Sequence, residues 1–223
     1  RGVLSNPLYN GGHLFLNGDK ITDLVIPDGV TKINDYAFYN CISITSVTIP
    51  GDIKEVQKYA FFNCTALETV KFLTNADGDS CPLIREYAFY GDTRLVNVNL
   101  EEIDLIGAYA FGKCENLVNV NLNKAYAIGE YAFIDCINLS YVNITALRNA
   151  GVGVFSGCKK LKSIDNGIFT NFSEKMFKDS GLTSLTFKAD RIPNNCFENC
   201  KELKEVVIEN KVVYVGEYAF NNC

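Results

Sequence analysis

Apolar residues recur along the chain in one fixed order. The stretch 130–144 reads Tyr-Ala-Phe, then Cys three residues after the Phe, then Leu, then Val-x-Ile. Successive copies of its phenylalanine are 20 to 28 residues apart, mostly 22 or 23, and stand at Phe38, Phe61, Phe89, Phe111, Phe133, Phe155, Phe177, Phe197 and Phe220. A repeat of this length predicts a solenoid, because each unit is too short to enclose a core and must stack on its neighbours. We call these nine residues the anchor phenylalanines.

The Leu-x-x-Val-x-Ile part of each unit alternates apolar and polar positions, which predicts a short β-strand. One strand per unit, always in the same direction, predicts a parallel sheet. The nine candidate segments are 21–26, 44–49, 67–72, 95–100, 117–122, 139–144, 161–166, 182–187 and 203–208.

The segment Ile-x-x-Tyr-Ala-Phe-x-x-Cys is too short for a long helix, and we expect one turn of 3₁₀ or α helix there. Acidic residues three positions before the anchor favour the start of such a turn. Two positions after the anchor, most units carry a residue that tolerates the left-handed conformation at a turn's end. These residues are Asn40, Asn63, Gly91, Asp135, Gly157, Asn199 and Asn222.

Residues 1–20 lack the repeat, whereas residues 21–223 form an array of about nine units. The turn formers Asn17-Gly18 predict a hairpin, with a first strand over 13–16 and a second strand starting near Ile21. We interpret residues 1–20 as a cap or lead-in that covers the open apolar end of the array. The array stops partway through a unit, which favours a fragment trimmed from a longer protein. Extra residues at 73–82 predict a loop at one edge.

Seven of the nine cysteines lie three residues after an anchor, and Asp92 and Ser180 fill that position in the other two units. One thiol per coil indicates a column of small buried side chains, so free thiols are the favoured state. Neighbouring coils are nevertheless close enough for a disulfide, and pairing stays open.

Bulk composition is that of an ordinary folded protein, with 48% hydrophobic and 21% charged residues. A net charge of −5 disfavours nucleic-acid partners. No apolar run is long enough to span a bilayer, so no membrane insertion is expected in this segment. We expect a monomer that needs no cofactor.

The repeated unit, with its period near 22–23, resembles the BspA-like class of leucine-rich repeats over residues 12–223. That resemblance implies a leucine-rich-repeat solenoid, a right-handed superhelix with a parallel β-sheet on its concave face and short 3₁₀/α turns on its convex face. It also implies an extracellular or cell-surface bacterial protein that adheres to a host or microbial protein or glycan. The family offers no catalytic motif and no binding residues to carry over.

Polar side chains on the outward face of the middle strands form the candidate ligand-binding patch. Its residues are Lys71, Asn97, Asn99, Asn119, Asn121, Tyr141 and Asn143. Amides beside an aromatic ring can hydrogen-bond and stack on a sugar or a peptide. The simpler alternative is that the asparagines bond to one another on a solvated sheet. A second function for the array, as a spacer that presents another domain, also remains open.

Candidate chemistry elsewhere is weak. Residues 75–79 with Glu86 have the alternating oxygens of a calcium loop, but the glycine falls at the wrong position, and a plain turn-rich insertion is favoured. The one histidine, His13, lies in the expected cap without nucleophilic partners. We therefore expect no metal site and no enzymatic activity.

Overall fold

A computed structural model describes residues 12–16, 18–74, 82–167, 169–209 and 211–223. The chain winds as a solenoid whose coils carry short parallel strands. The nine anchor phenylalanines stack as one column through its centre. Ring centroids of neighbouring anchors lie 4.9 to 6.0 Å apart, and the ring planes are within 19° of parallel. The seven inner anchors are fully buried, as the repeat predicts.

The predicted strands form what we call the front sheet, the sheet expected to line the concave face. All nine are present within the predicted segments. They are β3 (Asp23–Val25), β5 (Ser46–Ile49), β7 (Thr69–Phe72), β9 (Asn97–Val98), β11 (Asn119–Asn121), β13 (Tyr141–Asn143), β15 (Ser163–Asp165), β16 (Ser184–Phe187) and β18 (Glu205–Ile208). Their inward residues, such as Val70 and Val142, are buried in most strands and partly buried in β3, β15 and β18. Pairing is parallel, in three sections ordered β3-β5-β7-β9, β11-β13-β15 and β16-β18.

A second strand in most coils forms a back sheet, so the prediction of one strand per coil was wrong. The strands are β4 (Lys32–Ile33), β6 (Glu55–Val56), β8 (Leu83–Ile84), β10 (Leu105–Ile106), β12 (Ala127–Ile128), β14 (Asn149–Ala150), β17 (Arg191–Ile192) and β19 (Tyr214–Val215). They pair in parallel in two sections, β4 through β14 and β17-β19. Each strand has two residues and at most one buried side chain, which leaves no alternation to detect.

The segment around each anchor is a run of β-turns, and the described residues contain no helix. In the first unit the amides of Ala37, Tyr39 and Cys41 each donate to the carbonyl three residues earlier. The intervening amides of Tyr36, Phe38 and Asn40 donate instead to Lys58, Ala60 and Phe62 in the next coil. A helical turn would point all its amides along its own axis, whereas this arrangement sends every second amide to a neighbour.

The same three bonds recur at each of the eight interfaces between successive anchor turns. They require positive φ at two places in each turn. The first is two residues after the anchor, where all seven predicted residues have φ between 56° and 79°. The second is two residues before the anchor, where Tyr36, Tyr59, Tyr87, Tyr109, Tyr131 and Tyr218 have φ between 52° and 59°. The sequence analysis missed this second position, because bulky residues rarely adopt that conformation.

The tyrosines offset this backbone cost by stacking. Rings from Tyr36 to Tyr131 form a column with centroids 4.9 to 5.2 Å apart. The column ends at Gly153, where an added Cβ would lie 2.3 Å from the Tyr131 ring.

The cysteine column is buried and hydrogen-bonded. The described cysteines are all free, and only Cys223 among them is exposed. In six coils the thiol donates to the carbonyl oxygen of the preceding anchor at 3.0 to 3.3 Å. Burial raises the pKa of the Cys64, Cys114 and Cys158 thiols well above the usual value. Cys81 lies outside the described residues.

Asp92 sits in this column and is fully buried. Its Oδ1 accepts the amide of Cys64 at 2.7 Å, whereas its Oδ2 has no partner among the described residues. Burial raises the pKa of this carboxyl well above its ordinary value, despite the bond from Cys64.

The N-terminal hairpin is present, with β1 (Phe15–Leu16) and β2 (Asp19–Lys20) antiparallel. Its second strand starts two residues earlier than predicted. Gly12 O accepts the Ile42 amide, and the Leu14 amide donates to Ser43 Oγ, so the hairpin is bonded to the first repeat. Residues 1–11 of the expected cap and residues 75–81 of the insertion lie outside the described part of the chain, and so do residues 75–79, whose oxygens were compared with a calcium loop.

Candidate functional site

The seven predicted patch residues lie on four neighbouring coils of the front sheet. The register pairs Thr69 with Asn97, Asn119 with Tyr141 and Asn121 with Asn143. Between these outward residues, Val70, Val98, Val120 and Val142 point inward and are buried. Strand alternation therefore brings the seven side chains to one outer surface, as predicted.

The front sheet is interrupted in the middle of this surface. β9 pairs with β7 and β11 pairs with β13, but β9 and β11 do not pair with each other. The same two coils are fully joined elsewhere: β8 pairs with β10, and the amides of Tyr87, Phe89 and Gly91 reach the next coil. The break is therefore local to the front sheet, and we call it the β9–β11 gap.

Two shallow depressions lie over the gap. One, of about 390 Å³, is lined by Thr69, Val70, Lys71, Val96, Asn97, Val98, Asn99, Val118 and Asn119. The other, of about 510 Å³, is lined by Val98, Asn99, Leu100, Glu101, Asn119, Val120, Asn121 and Tyr141. Six of the seven predicted residues line one or both, and Asn143 lines neither.

Two of the predicted amides are used by the fold. Asn99 Oδ1 accepts the Phe72 amide at 2.7 Å, and its Nδ2 donates to Phe72 O at 2.8 Å. The Asn99 side chain thus continues the β7–β9 ladder where the backbone of β9 has ended. Asn143 Oδ1 accepts both the amide and the hydroxyl of Thr145, which fixes the turn after β13. The fold therefore occupies both polar atoms of the Asn99 side chain and the Oδ1 of Asn143.

The other amides keep bonding capacity. Asn121 Nδ2 donates weakly to Glu101 at 3.3 Å, while its buried Oδ1 has no partner among the described residues. Asn119 Oδ1 accepts the Ser140 hydroxyl at 3.2 Å. Asn97 is exposed, and its side chain makes no hydrogen bond within the described part of the chain.

Lys71 and Tyr141 complete the surface from its two sides. Lys71 is exposed on β7 and forms no ion pair with a described residue, whereas Arg94 nearby is paired with Glu68. Tyr141 presents a ring that is 43% exposed. The surface therefore offers one uncompensated cation, unsatisfied amide groups and an aromatic ring.

Val96 and Val118, which the sequence analysis missed, flank the gap with exposed aliphatic side chains, each 37% exposed. They precede Asn97 and Asn119, at a position where the neighbouring coils carry Glu68 and Ser140. The sequence held a signal, since only these two coils have an apolar residue there. It was overlooked because the position lies just before the alternating part of the strand.

Across the described residues, no group of three or more His, Cys, Asp or Glu side chains is arranged to hold a metal ion. Nor does that part of the chain contain a helix long and apolar enough to cross a bilayer.

Comparison with known proteins gives a family. The model of the BspA type leucine rich repeat region matches over residues 11–124, 82–190 and 190–223, with six copies. A leucine-rich repeat protein of T. pallidum is 31% identical, with a TM-score of 0.52 over 63% of this chain and 78% of its own. The pneumococcal vaccine antigen PcpA is 18% identical, with a TM-score of 0.58 over 93% of this chain and 71% of its own, and so shares the fold. A search of curated proteins gives no match. The matched repeats cover nearly the whole sequence, and the chain belongs to the BspA-type leucine-rich repeat family.

Proposed function

We propose that the chain is a non-enzymatic binding module of a bacterial surface protein, which engages a protein or glycan through the front sheet around the β9–β11 gap. The observation that carries this proposal is the concentration of uncommitted groups at one place. Lys71, Asn97, Asn119 and Tyr141 surround one of the two interruptions of the front sheet. A family known for cell-surface repeat proteins supports a location outside the cell.

The test replaces Lys71, Asn97 and Tyr141 together by Ala and measures binding to arrays of extracellular-matrix proteins and glycans. These three side chains make no hydrogen bond or ion pair with a described residue, so the fold should persist while binding falls by about tenfold or more. A matched triple variant on the back sheet, Lys32→Ala with Lys54→Ala and Asn149→Ala, should bind as the unmodified protein does. Equal binding by all three proteins would refute a front-sheet site.

The alternative is a structural spacer that holds another domain away from the cell surface. The continuous column of anchors favours a stiff rod and is compatible with this role. A spacer predicts no ligand on either array, and lengthening or shortening the rod by one coil would alter the activity of a full-length protein without any contact residue.

A further inference from the structure

We propose that the β9–β11 gap binds an extended segment of a partner polypeptide, which adds a β-strand to the open edge of β11 and carries an aliphatic and an acidic side chain. This inference rests on the proposed function and narrows its ligand from protein or glycan to a peptide strand. It follows from the backbone groups at the gap, from the two valines and from Lys71.

The backbone at the gap has unused hydrogen-bonding groups. The Leu122 amide, at the end of the β11 segment, points to the next coil and donates to Asn143 O at 2.9 Å. The Phe72 amide points to its next coil in the same way and donates to Asn99 Oδ1. Because alternate residues of a strand direct their N–H and C=O groups to opposite sides, Asn119 and Asn121 direct theirs toward the gap. No described backbone group pairs with them. An open edge of this kind recruits an extended peptide through main-chain bonds.

An acceptor side chain adds to this edge. Asn121 lines the larger depression, and its buried Oδ1 has no partner in the described structure. A buried acceptor without a donor is costly. An incoming backbone N–H would satisfy it, as the Phe72 amide satisfies Asn99 one coil earlier. At the gap, the asparagine oxygen therefore lacks the backbone donor that the equivalent oxygen of Asn99 has one coil earlier.

Side chains around the edge specify the partner. Val96 and Val118 stand on the two sides of the gap and provide an exposed aliphatic contact. In the register of β7 and β9, Lys71 is level with Asn99, which comes three residues after Val96. Three residues of extended strand span about 10 Å, so Lys71 lies about 10 Å along the strand direction from the two valines. Its uncompensated charge favours a carboxylate. An aliphatic side chain followed by an acidic one about 10 Å away therefore fits this surface.

A polypeptide also fits better than a glycan because the recognition groups are arranged as a strand edge. A sugar has no row of donors and acceptors that matches the N–H and C=O groups of a strand edge, which repeat every second residue. The tyrosine column on the turns is no competing sugar platform, since its rings cover each other's faces at 4.9 to 5.2 Å.

The experiment uses the whole 223-residue chain as bait for a displayed library of random peptides of about 12 residues, long enough to pair as one strand. Enriched peptides are synthesised, labelled with fluorescein and titrated by anisotropy. We expect them to share an aliphatic and an acidic residue. Methylating the peptide's backbone nitrogens one at a time should weaken binding by about tenfold or more at alternate residues only, because only those nitrogens donate to the strand edge.

Matched protein variants locate the site. Val118→Asp and Lys71→Glu should each weaken peptide binding by about tenfold or more. Val25→Asp, at an exposed valine on β3, and Lys54→Glu, beside the back sheet, should change it by less than about twofold. Thermal melts check that all four variants fold.

The proposal is overturned if no peptide is enriched, if Val118→Asp binds as well as the unmodified protein, or if methylation has the same effect at every position. Its failure is distinguishable from failure of the proposed function. If array binding depends on the front sheet but no peptide is enriched, the peptide-strand proposal is refuted and the proposed binding function is retained.

Discussion

At the residue scale, the position three residues after each anchor shows how one side chain changes a coil. A cysteine there donates to the preceding anchor's carbonyl, and Ser180 takes part in the same column through a 3.4 Å contact with Cys200 Sγ. Asp92 brings a carboxyl to a site with one amide donor and no solvent. Its elevated pKa is the result of this placement.

Asp92→Ser should make stability less dependent on pH. The pKa of Asp92 in the folded state lies above the unfolded value of about 3.9. Below about pH 3.9 both states bind the proton, so ionisation of Asp92 does not lower the stability of the fold. As pH rises toward neutrality, the unfolded chain ionises while the folded chain must keep the proton or bury a charge, and stability is lost. Urea titrations at several pH values should show the variant gaining on the unmodified protein from pH ~4 to ~7.

Ser180→Asp is the mirror control and should introduce the same loss of stability with rising pH. A constant difference between Asp92→Ser and the unmodified protein across this range would mean that Asp92 ionises freely in the folded state.

Phe133→Ala should lower the free energy of unfolding by about 3–5 kcal/mol. Phe133 is fully buried between the rings of Phe111 and Phe155, at 5.4 and 5.7 Å, so its removal leaves a cavity inside the stack. Chemical denaturation measures the change, with Val25→Ala, at a side chain that is 66% exposed, as the control. A loss below about 1 kcal/mol would contradict an interior position.

At the element scale, the strands with alternating patterns were predictable and the others were not. β5 and β7 bury Val and Ile or Phe at every second position, which the sequence displays directly. β8 and β10 have two residues each, and their pairing depends on the coil on either side. The segment around each anchor was predicted to be one turn of 3₁₀ or α helix, because acidic and asparagine residues suit the ends of helical turns and β-turns alike.

The candidate site was predictable as a surface but not as a set of roles. Asn97 and Asn99 occupy equivalent outward positions in one strand, and nothing in the sequence distinguishes them. Their roles differ because β9 ends after Val98, so the Asn99 amide reaches the Phe72 backbone. The β9–β11 gap likewise depends on how two separate coils meet, which no local pattern reports.

Asn99→Ala should destabilise the protein by about 1–3 kcal/mol, because the Phe72 amide and carbonyl lose their partners. Hydrogen exchange at the Phe72 amide should accelerate in the same variant. Asn97→Ala, in the matched outward position without side-chain bonds, should change stability by less than about 0.5 kcal/mol. Equal effects of the two substitutions would contradict a structural role for Asn99.

At the scale of the whole molecule, stability is a sum of contacts between neighbouring coils. Three turn bonds, an anchor ring pair and, in most coils, a thiol–carbonyl bond recur from one interface to the next. No part of the core is shared by distant coils, so local events can open one coil without the rest.

Thiol labelling tests this organisation. Cys223 is exposed and should react first with iodoacetamide. The buried thiols from Cys41 to Cys200 should react only when their coil opens, because reagent cannot reach them in the closed coil. Burial also raises the pKa of the Cys200 thiol, to about 11. Mass spectrometry of partly labelled protein gives the order. Fast labelling of Cys136 in the absence of denaturant would argue against a closed column.

The turn bonds also have a direction. Each inner coil donates three turn amides to the coil that follows and accepts three from the coil before it. A duplication that copies one full period, for instance from Phe111 to just before Phe133, would therefore insert as many acceptors as donors and leave the ladder matched throughout. Duplication of a whole coil should therefore lower the stability of such a protein little, whereas duplication of half a coil would leave a set of buried amides without acceptors.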